Sequence, residues 1–129
     1  MARRKISETA GMDALHAVIE GTAARETTDA TFVTAVRFLL EELAQRMPGN
    51  SVEVRVPPLM AVQCVAGPQH RRGTPPNVVE LSPKLWFALA TGELTVDQAL
   101  AREEFAPQLL ASGTRALEFA AVLPLIRGI

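Results

Sequence analysis

The residues best suited to chemistry stand together in one short basic run. His70, Arg71 and Arg72 lie within a glycine- and proline-containing stretch, residues 67–76. Guanidinium groups beside exposed glycine backbone can hold a phosphate or carboxylate through charge-assisted, bidentate hydrogen bonds. The same composition fits a solvated loop, because paired prolines are not accommodated in a central strand. The run is therefore a candidate contact for an anion or a protein partner, with an ordinary exposed loop as the alternative.

Other residues of catalytic type lack the partners that catalysis needs. His16 is the only other histidine, and no pattern of cysteine or aspartate would orient it as a general base. The adjacent carboxylates Glu103 and Glu104 lie on a polar connection and are expected to be solvated. Cys64, the single cysteine, lies in an apolar strand pattern, where a thiol behaves as a small hydrophobe with a raised pKa. With zinc, Walker and dinucleotide signatures absent, the sequence predicts no catalytic residue, metal site or cofactor.

A second kind of site would be apolar. Trp86 and Phe87 form the only adjacent aromatic pair, and neighbours on a helix point about 100° apart, so we expect at most one to face centrally inward. Such residues fill a core or line a cavity, and the chemistry of the two surroundings is the same. If there is a cavity, we expect an apolar wall made of Met60, Val62, Trp86, Leu89, Leu109, Phe119 and Leu123.

Hydrophobic periodicity predicts the helices that position these residues. A polar start, frayed over the first ten residues, precedes a weak helical repeat that ends near Gly21. A stronger repeat predicts a helix from an Asp29 N-cap to a stop at Pro48 and Gly49. We also expect a last helix capped by Thr114.

Alternating and continuous apolar runs predict the strands. Residues 52–56 alternate valine with charged side chains, as in a strand with one wet face. Residues 59–66 are apolar almost throughout and predict an interior strand covered on two sides. Residues 78–81 and 109–112 add two shorter strands. The prediction is a single α+β domain, with helices against a mainly antiparallel sheet.

Composition limits the class of protein. The chain has 129 residues, 48% hydrophobic and 21% charged, which is enough for one domain with its own core. A net charge of -1 lacks the basic surplus of a dedicated nucleic-acid binder. No apolar run is long enough to predict stable membrane insertion, and one cysteine suits a reducing compartment, so we expect a cytoplasmic protein.

The most specific pattern lies between Glu80 and Gly113. Ser82 followed by Pro83 predicts a helix that ends at Gly92, and Thr-x-x-Gln from Thr95 has the spacing of a capping box. This order of an aromatic-bearing helix, Thr-Gly-Glu-Leu, Thr-x-x-x-Ala and a later Ser-Gly resembles the sterol carrier protein family of small lipid-binding domains. The resemblance covers about residues 51–126, and short actinobacterial members are also similar over residues 51–58 and 72–80.

The resemblance implies a curved sheet of about five strands, with helices over one face and an apolar tunnel between the two layers. Family members bind sterols, fatty acids or acyl chains there, so the implied function is non-enzymatic binding or transfer of an apolar ligand. We expect residues 1–28 to form an N-terminal extension with a short helix and residues 29–129 to form the sterol-carrier-like domain.

One segment departs from the family pattern. Arg102 to Pro107 replaces the usual tight glycine turn, and Pro107 is expected to remove a ladder donor at the start of the following strand. A shorter edge or a bulged connection at this point would change the mouth of the tunnel.

Two other functions stay open. A protein-interaction or scaffold domain would use the exposed loop at His70 to Pro76 and the amphipathic helix from Asp29 to Met47. Alternatively, the chain is an accessory to a thiol-cofactor-dependent enzyme on another chain, since related domains form the second half of enzymes such as maleylpyruvate isomerase. Arg71 or Arg72 would then contact the shared substrate. Ligand identity and oligomeric state are not predicted.

Overall fold

The structure is a computed structural model that describes residues 4–67 and 76–126. Within these ranges its α-helices and β-strands follow one another as α1 (Glu8–Glu20), α2 (Ala30–Arg46), β1 (Val52–Val56), β2 (Met60–Cys64), β3 (Asn77–Leu81), α3 (Pro83–Thr91), α4 (Val96–Leu100) and β4 (Leu109–Ser112). Two 3-10 segments, Ala106–Gln108 and Ala116–Val122, flank β4. The predicted α+β class is confirmed.

Local capping sets the ends of the helices. The Ser82 hydroxyl accepts a hydrogen bond from the backbone N–H of Leu85, 3.1 Å away, and α3 ends at Gly92 with a left-handed φ of 84°. At α4, Thr95 and Gln98 each accept the other's backbone N–H, at 3.1 and 3.0 Å. These bonds satisfy helix-end donors that would otherwise be unpaired, which is why both helices start where the sequence predicts.

The N-terminal segment is held against α2, so the predicted frayed start is wrong for the part that the structure describes. Glu41, a buried residue of α2, accepts the backbone N–H groups of Lys5 and Ile6 at 3.1 and 3.0 Å. Helix α1 then begins at Glu8 and packs along α2. A buried carboxylate that takes two backbone donors fixes this segment before the helix begins.

The sheet has four strands in the described residues, in the order β2-β1-β3-β4, against an expectation of about five. Strands β1 and β2 are antiparallel, β3 and β4 are antiparallel, and β1 and β3 are parallel. Strand β3 pairs with β1 and not with β2, the strand before it in the chain. It runs in the same direction as β1, so this pairing is parallel. The sheet is therefore mixed, with two of its three pairings antiparallel as predicted.

Strand β2 is an edge strand, which corrects the predicted interior strand over residues 59–66. It pairs only with β1, and Ala61 and Gln63 are exposed. The strand ends before Val65, whose φ of 70° turns the chain so that its N–H bonds to the carbonyl of Met47 at 2.8 Å. Its apolar residues have a helix layer on one side only, because α2 packs against β2.

The last helical segment differs from the prediction in type and start. It is a 3-10 helix, Ala116–Val122, and Arg115 rather than Thr114 stands at its N-terminal boundary. The backbone N–H of Arg115 donates to the side chain of buried Asn77, 2.9 Å away, so a distant side chain and not a local cap fixes this turn. The segment lies over β1, β3 and β4 and completes the helical layer begun by α2 and α3.

Candidate functional site

The seven predicted wall residues lie in the helix-sheet layer but differ in depth. Four are in the buried core, with exposed fractions of 0% for Trp86, 1% for Leu89, 6% for Leu109 and 0% for Phe119. Met60, Val62 and Leu123 are half-buried and pack against that core. The half-buried members Met60 and Val62 belong to edge strand β2, which explains their exposure.

Trp86 joins the helices that cover the sheet. Its ring centroid is 6.4 Å from that of Phe119, and its Nε1 donates a hydrogen bond to the carbonyl of Val36, 3.3 Å away. Phe87 is also fully buried and lies 5.8 Å from the ring of Phe32. Both members of the aromatic pair are therefore buried, because different elements cover the two flanks of α3.

A groove crosses the end of the sheet at which β3 passes into α3. It comprises two adjoining cavities of about 250 and 190 Å³ that share Ser82, Pro83 and Gln108 as lining residues. The first is also lined by Leu81 and the second by Phe32, and both of these belong to the buried core. The groove thus reaches from the surface to the apolar layer between sheet and helices.

A hydrogen-bonded pair spans this groove. The Ser82 hydroxyl donates to Oε1 of Gln108 at 2.5 Å, and Nε2 of Gln108 donates to the carbonyl of Glu104 at 2.7 Å. Pro107 lies in the 3-10 segment before β4 and not in the strand itself. The predicted loss of a ladder donor at the start of the strand is therefore wrong. The departure from the family pattern instead delivers Gln108 to the rim of the groove.

Three charged residues that line the second cavity, Arg25, Glu26 and Lys84, form ion pairs. Arg25 forms a bidentate ion pair with Glu93, with both N–O distances at 2.7 Å, and its guanidinium lies 4.7 Å from the ring centroid of Phe87. The hydrogen bonds that Arg25 donates to the Glu93 carboxylate raise the pKa of Arg25. The Nζ of Lys84 lies 3.4 Å from Oε1 of Glu26 and forms a second ion pair beside the groove. These pairs tie the segment before α2 to both ends of α3.

Sequence reasoning missed this groove. Its signal was a set of prolines beside strand ends, since Pro57 follows β1, Pro83 follows β3 and Pro107 precedes β4. Because β1 and β3 are parallel and β4 is antiparallel to β3, the last residues of β1 and β3 and the first residues of β4 lie at the same end of the sheet. The order of the strands was needed before the prolines could be recognised as neighbours.

Two further cavities lie elsewhere on the surface. One of about 330 Å³ continues from the groove onto the outer face of the sheet, and Met60, Pro57 and Arg55 are among its lining residues. The other, of about 410 Å³, lies between α1 and the start of α2 and is lined by alanine, threonine and one aspartate. None of the seven predicted wall residues lines it, so we do not treat it as the ligand site.

Among the described residues, the side chains of catalytic type lie on different parts of the fold. Burial raises the pKa of the Cys64 thiol to about 12, His16 is exposed on α1, and Glu103 and Glu104 are exposed as predicted. In residues 4–67 and 76–126, no three histidine, cysteine or carboxylate side chains are grouped as they would be to hold a metal ion. The predicted contacts His70, Arg71 and Arg72 lie outside the described residues.

A protein-family model described as a bacterial SCP ortholog, where SCP denotes sterol carrier protein, matches residues 28–125. The chain belongs to the sterol carrier protein family. The matched SCP region contains the sheet, α2 to α4 and all seven wall residues, while α1 and the groove residues Arg25, Glu26 and Thr27 lie ahead of it. No curated protein matches the chain. Among the described helices, none has the length and apolar character needed to cross a membrane.

Proposed function

We propose that this SCP-family protein is a non-enzymatic carrier that binds an apolar ligand such as a sterol, a fatty acid or an acyl chain. Family membership carries the proposal. The continuous apolar layer between sheet and helices supports it, because each methylene removed from water contributes about 0.8 kcal/mol and needs no polar partner. We expect the carrier to work in the cytoplasm.

The proposed ligand position lies between the sheet and the helices, against the buried wall residues Trp86, Leu89 and Phe119 and the half-buried Met60. Access is through the groove at Ser82 and Gln108. Two features support this route: the buried core residues Leu81 and Phe32 are among its lining residues, and the Gln108 side chain closes it through a hydrogen bond to Ser82. Rotation of that glutamine side chain would widen the groove, while the backbone hydrogen bond from the N–H of Ser82 to the carbonyl of Gln108, 3.2 Å long, stays in place.

Helix α2 is a poor surface for the alternative scaffold function. Its apolar residues are already covered by α1 on one side and by the sheet and α3 on the other, and nine of its residues are buried. A partner would have only the polar remainder of this helix to contact. We therefore favour the carrier function over capture of a protein through this helix.

Native mass spectrometry of the protein purified from cells, followed by displacement of a bound fluorescent fatty acid, tests the carrier function. We expect a copurifying lipid mass and saturable displacement by unlabelled fatty acid or sterol. Absence of both would overturn the proposal. An extrinsic fluorophore is preferable to the indole, because Trp86 is itself a proposed wall residue.

A matched pair of variants tests the access route separately. Gln108→Trp places a bulky ring across the groove, and we expect the rate of fatty-acid uptake to fall at least about tenfold. Gln45→Trp makes the same change at an exposed position of α2, remote from the groove, and should leave the rate unchanged. Equal rates in the two variants would contradict the route while leaving ligand binding itself in place.

A further inference from the structure

One carboxylate in the groove has no ionic partner among the described residues. Glu80, the fourth residue of β3, lines both the cavity of about 250 Å³ and the cavity of about 330 Å³ that continues from it. Pro57 is also common to these two cavities, so Glu80 and Pro57 mark the junction between them. Glu80 is half-buried, and the ion pairs within residues 4–67 and 76–126 do not include it.

The cation opposite Glu80 in the strand register is already bound elsewhere. Arg55 is the register partner of Glu80 on β1, but its Nε donates to the carboxylate of Glu53 on the same strand. These three are the charged side chains on the outer face of the described strands, so one guanidinium faces two carboxylates. At the far end of the groove, Arg25 and Lys84 are held in ion pairs of their own. An anionic head group at the junction would therefore meet an excess of negative charge.

The surroundings of Glu80 in the two cavities are mostly apolar. They comprise Pro57, Pro58, Leu59 and Met60 on one side of the junction and Leu81, Pro107 and Leu110 on the other. A carboxylate can only accept hydrogen bonds, and such bonds are charge-assisted and strengthened where water is partly excluded. The junction therefore suits a polar group that donates a hydrogen bond and is attached to an apolar chain.

We propose that Glu80 selects the head group of the ligand. It favours an amphiphile whose head group donates a hydrogen bond, such as a hydroxyl or an ammonium group, over one that ends in an ionised carboxylate. The apolar chain passes Gln108 toward Phe32, and the head group stays at the junction beside Glu80. An ionised fatty acid still binds through its chain, but more weakly. This inference rests on the proposed carrier function and adds a specificity-determining residue to it.

Three amphiphiles with the same twelve-carbon chain test the selection: 1-dodecanol, dodecylammonium and dodecanoate. Isothermal titration calorimetry, below the critical micelle concentration of each, gives the dissociation constants. We expect the wild type to bind the alcohol and the ammonium at least about tenfold more tightly than dodecanoate, because only these two can donate to the carboxylate. Since the chains are identical, any difference comes from the head group.

A matched pair of variants assigns the selection to Glu80. Glu80→Gln removes the charge and keeps the shape, so the preference for dodecylammonium over dodecanoate should fall at least about tenfold. Dodecanol should lose less affinity, because the amide oxygen still accepts a hydrogen bond. Glu103→Gln removes one charge at an exposed position outside the lining of these cavities and should keep the wild-type preference. Circular dichroism confirms that each variant is folded.

The side-chain carboxyl carbon of Glu80 reports the position of the head group. In nuclear magnetic resonance spectra of the carbon-13-labelled protein, its signal should shift as dodecanol binds, while the signal of Glu103 should not. A Glu80 signal that stays in place at saturation would put the head group elsewhere and overturn the proposal.

The outcomes separate head-group selection from the carrier function. Equal affinity of the wild type for all three amphiphiles, or an unchanged preference in Glu80→Gln, would overturn selection by Glu80 and leave the carrier function standing. Equal loss of preference in Glu80→Gln and Glu103→Gln would show a general effect of net charge and would also overturn it. If none of the three amphiphiles binds, the carrier function and this proposal fail together.

Discussion

The indole Nε1 of Trp86 donates a hydrogen bond to the backbone carbonyl of Val36, 3.3 Å away. The bond is buried and joins the middle of α3 to the middle of α2. A buried indole N–H without a partner would cost free energy, so this contact orients α3 in addition to filling space.

Replacing Trp86 by phenylalanine should lower the free energy of unfolding by about 1–3 kcal/mol, because it removes this hydrogen bond and leaves a small void. Urea denaturation followed by circular dichroism measures the change, since the variant has no tryptophan to report by fluorescence. A change of only a few tenths of a kcal/mol would contradict the role given to the indole.

Asn77→Ala should lower the free energy of unfolding by about 1–3 kcal/mol. The buried Asn77 amide donates to the carbonyl of Ser51 and accepts from the backbone N–H of Arg115, both at 2.9 Å, so two backbone groups lose their partner together. Asn50→Ala, at an exposed position, is the matched control and should have little effect. Similar losses in the two variants would argue against this bridging role.

Glu41→Ala should free the N-terminal segment, because the carboxylate accepts the N–H groups of Lys5 and Ile6. Hydrogen exchange at these two amides should accelerate about tenfold or more, while exchange in the core strands changes far less. Glu41→Gln keeps an oxygen acceptor and should retain most of the protection. Unchanged exchange in the alanine variant would contradict the anchoring contact.

Cys64 should resist thiol reagents in the folded protein, since burial raises its pKa to about 12. The unfolded thiol ionises near 9, so the contribution of Cys64 to stability is complete below that pH and is lost as the pH rises from about 9 to about 12. Denaturation series of the wild type and Cys64→Ala at alkaline pH measure this, and the variant should lose less stability. Rapid labelling of the native protein at pH 8 would contradict the prediction.

Features governed by neighbouring residues could be predicted from the sequence. The capping of α3 by Ser82, its left-handed end at Gly92 and the reciprocal bonds of Thr95 and Gln98 all follow from bonds within a few residues. The position of β4 follows likewise from a short apolar run between turn signals. The seven candidate wall residues also come from the sequence, as apolar residues on elements expected to share one layer, and they stay a prediction.

Features governed by pairing between distant segments could not be predicted in this way. The run over residues 59–66 is as apolar as an interior strand, yet β2 lies at an edge. Trp86 and Phe87 are both buried because Phe119 and Phe32 approach α3 from different elements. Composition reports how much surface a segment must bury, and not which segment will cover it.

The sequence by itself therefore determined the family, the α+β class and the ends of most helices and strands, since these depend on short-range hydrogen bonds and periodicity. Only the tertiary structure decided the mixed strand order, the groove between Ser82 and Gln108 and the strand pairing that sets Arg55 beside Glu80. Each of these needs strands far apart in the chain to meet in one register. That register is selected by the packing of the whole core against the helices.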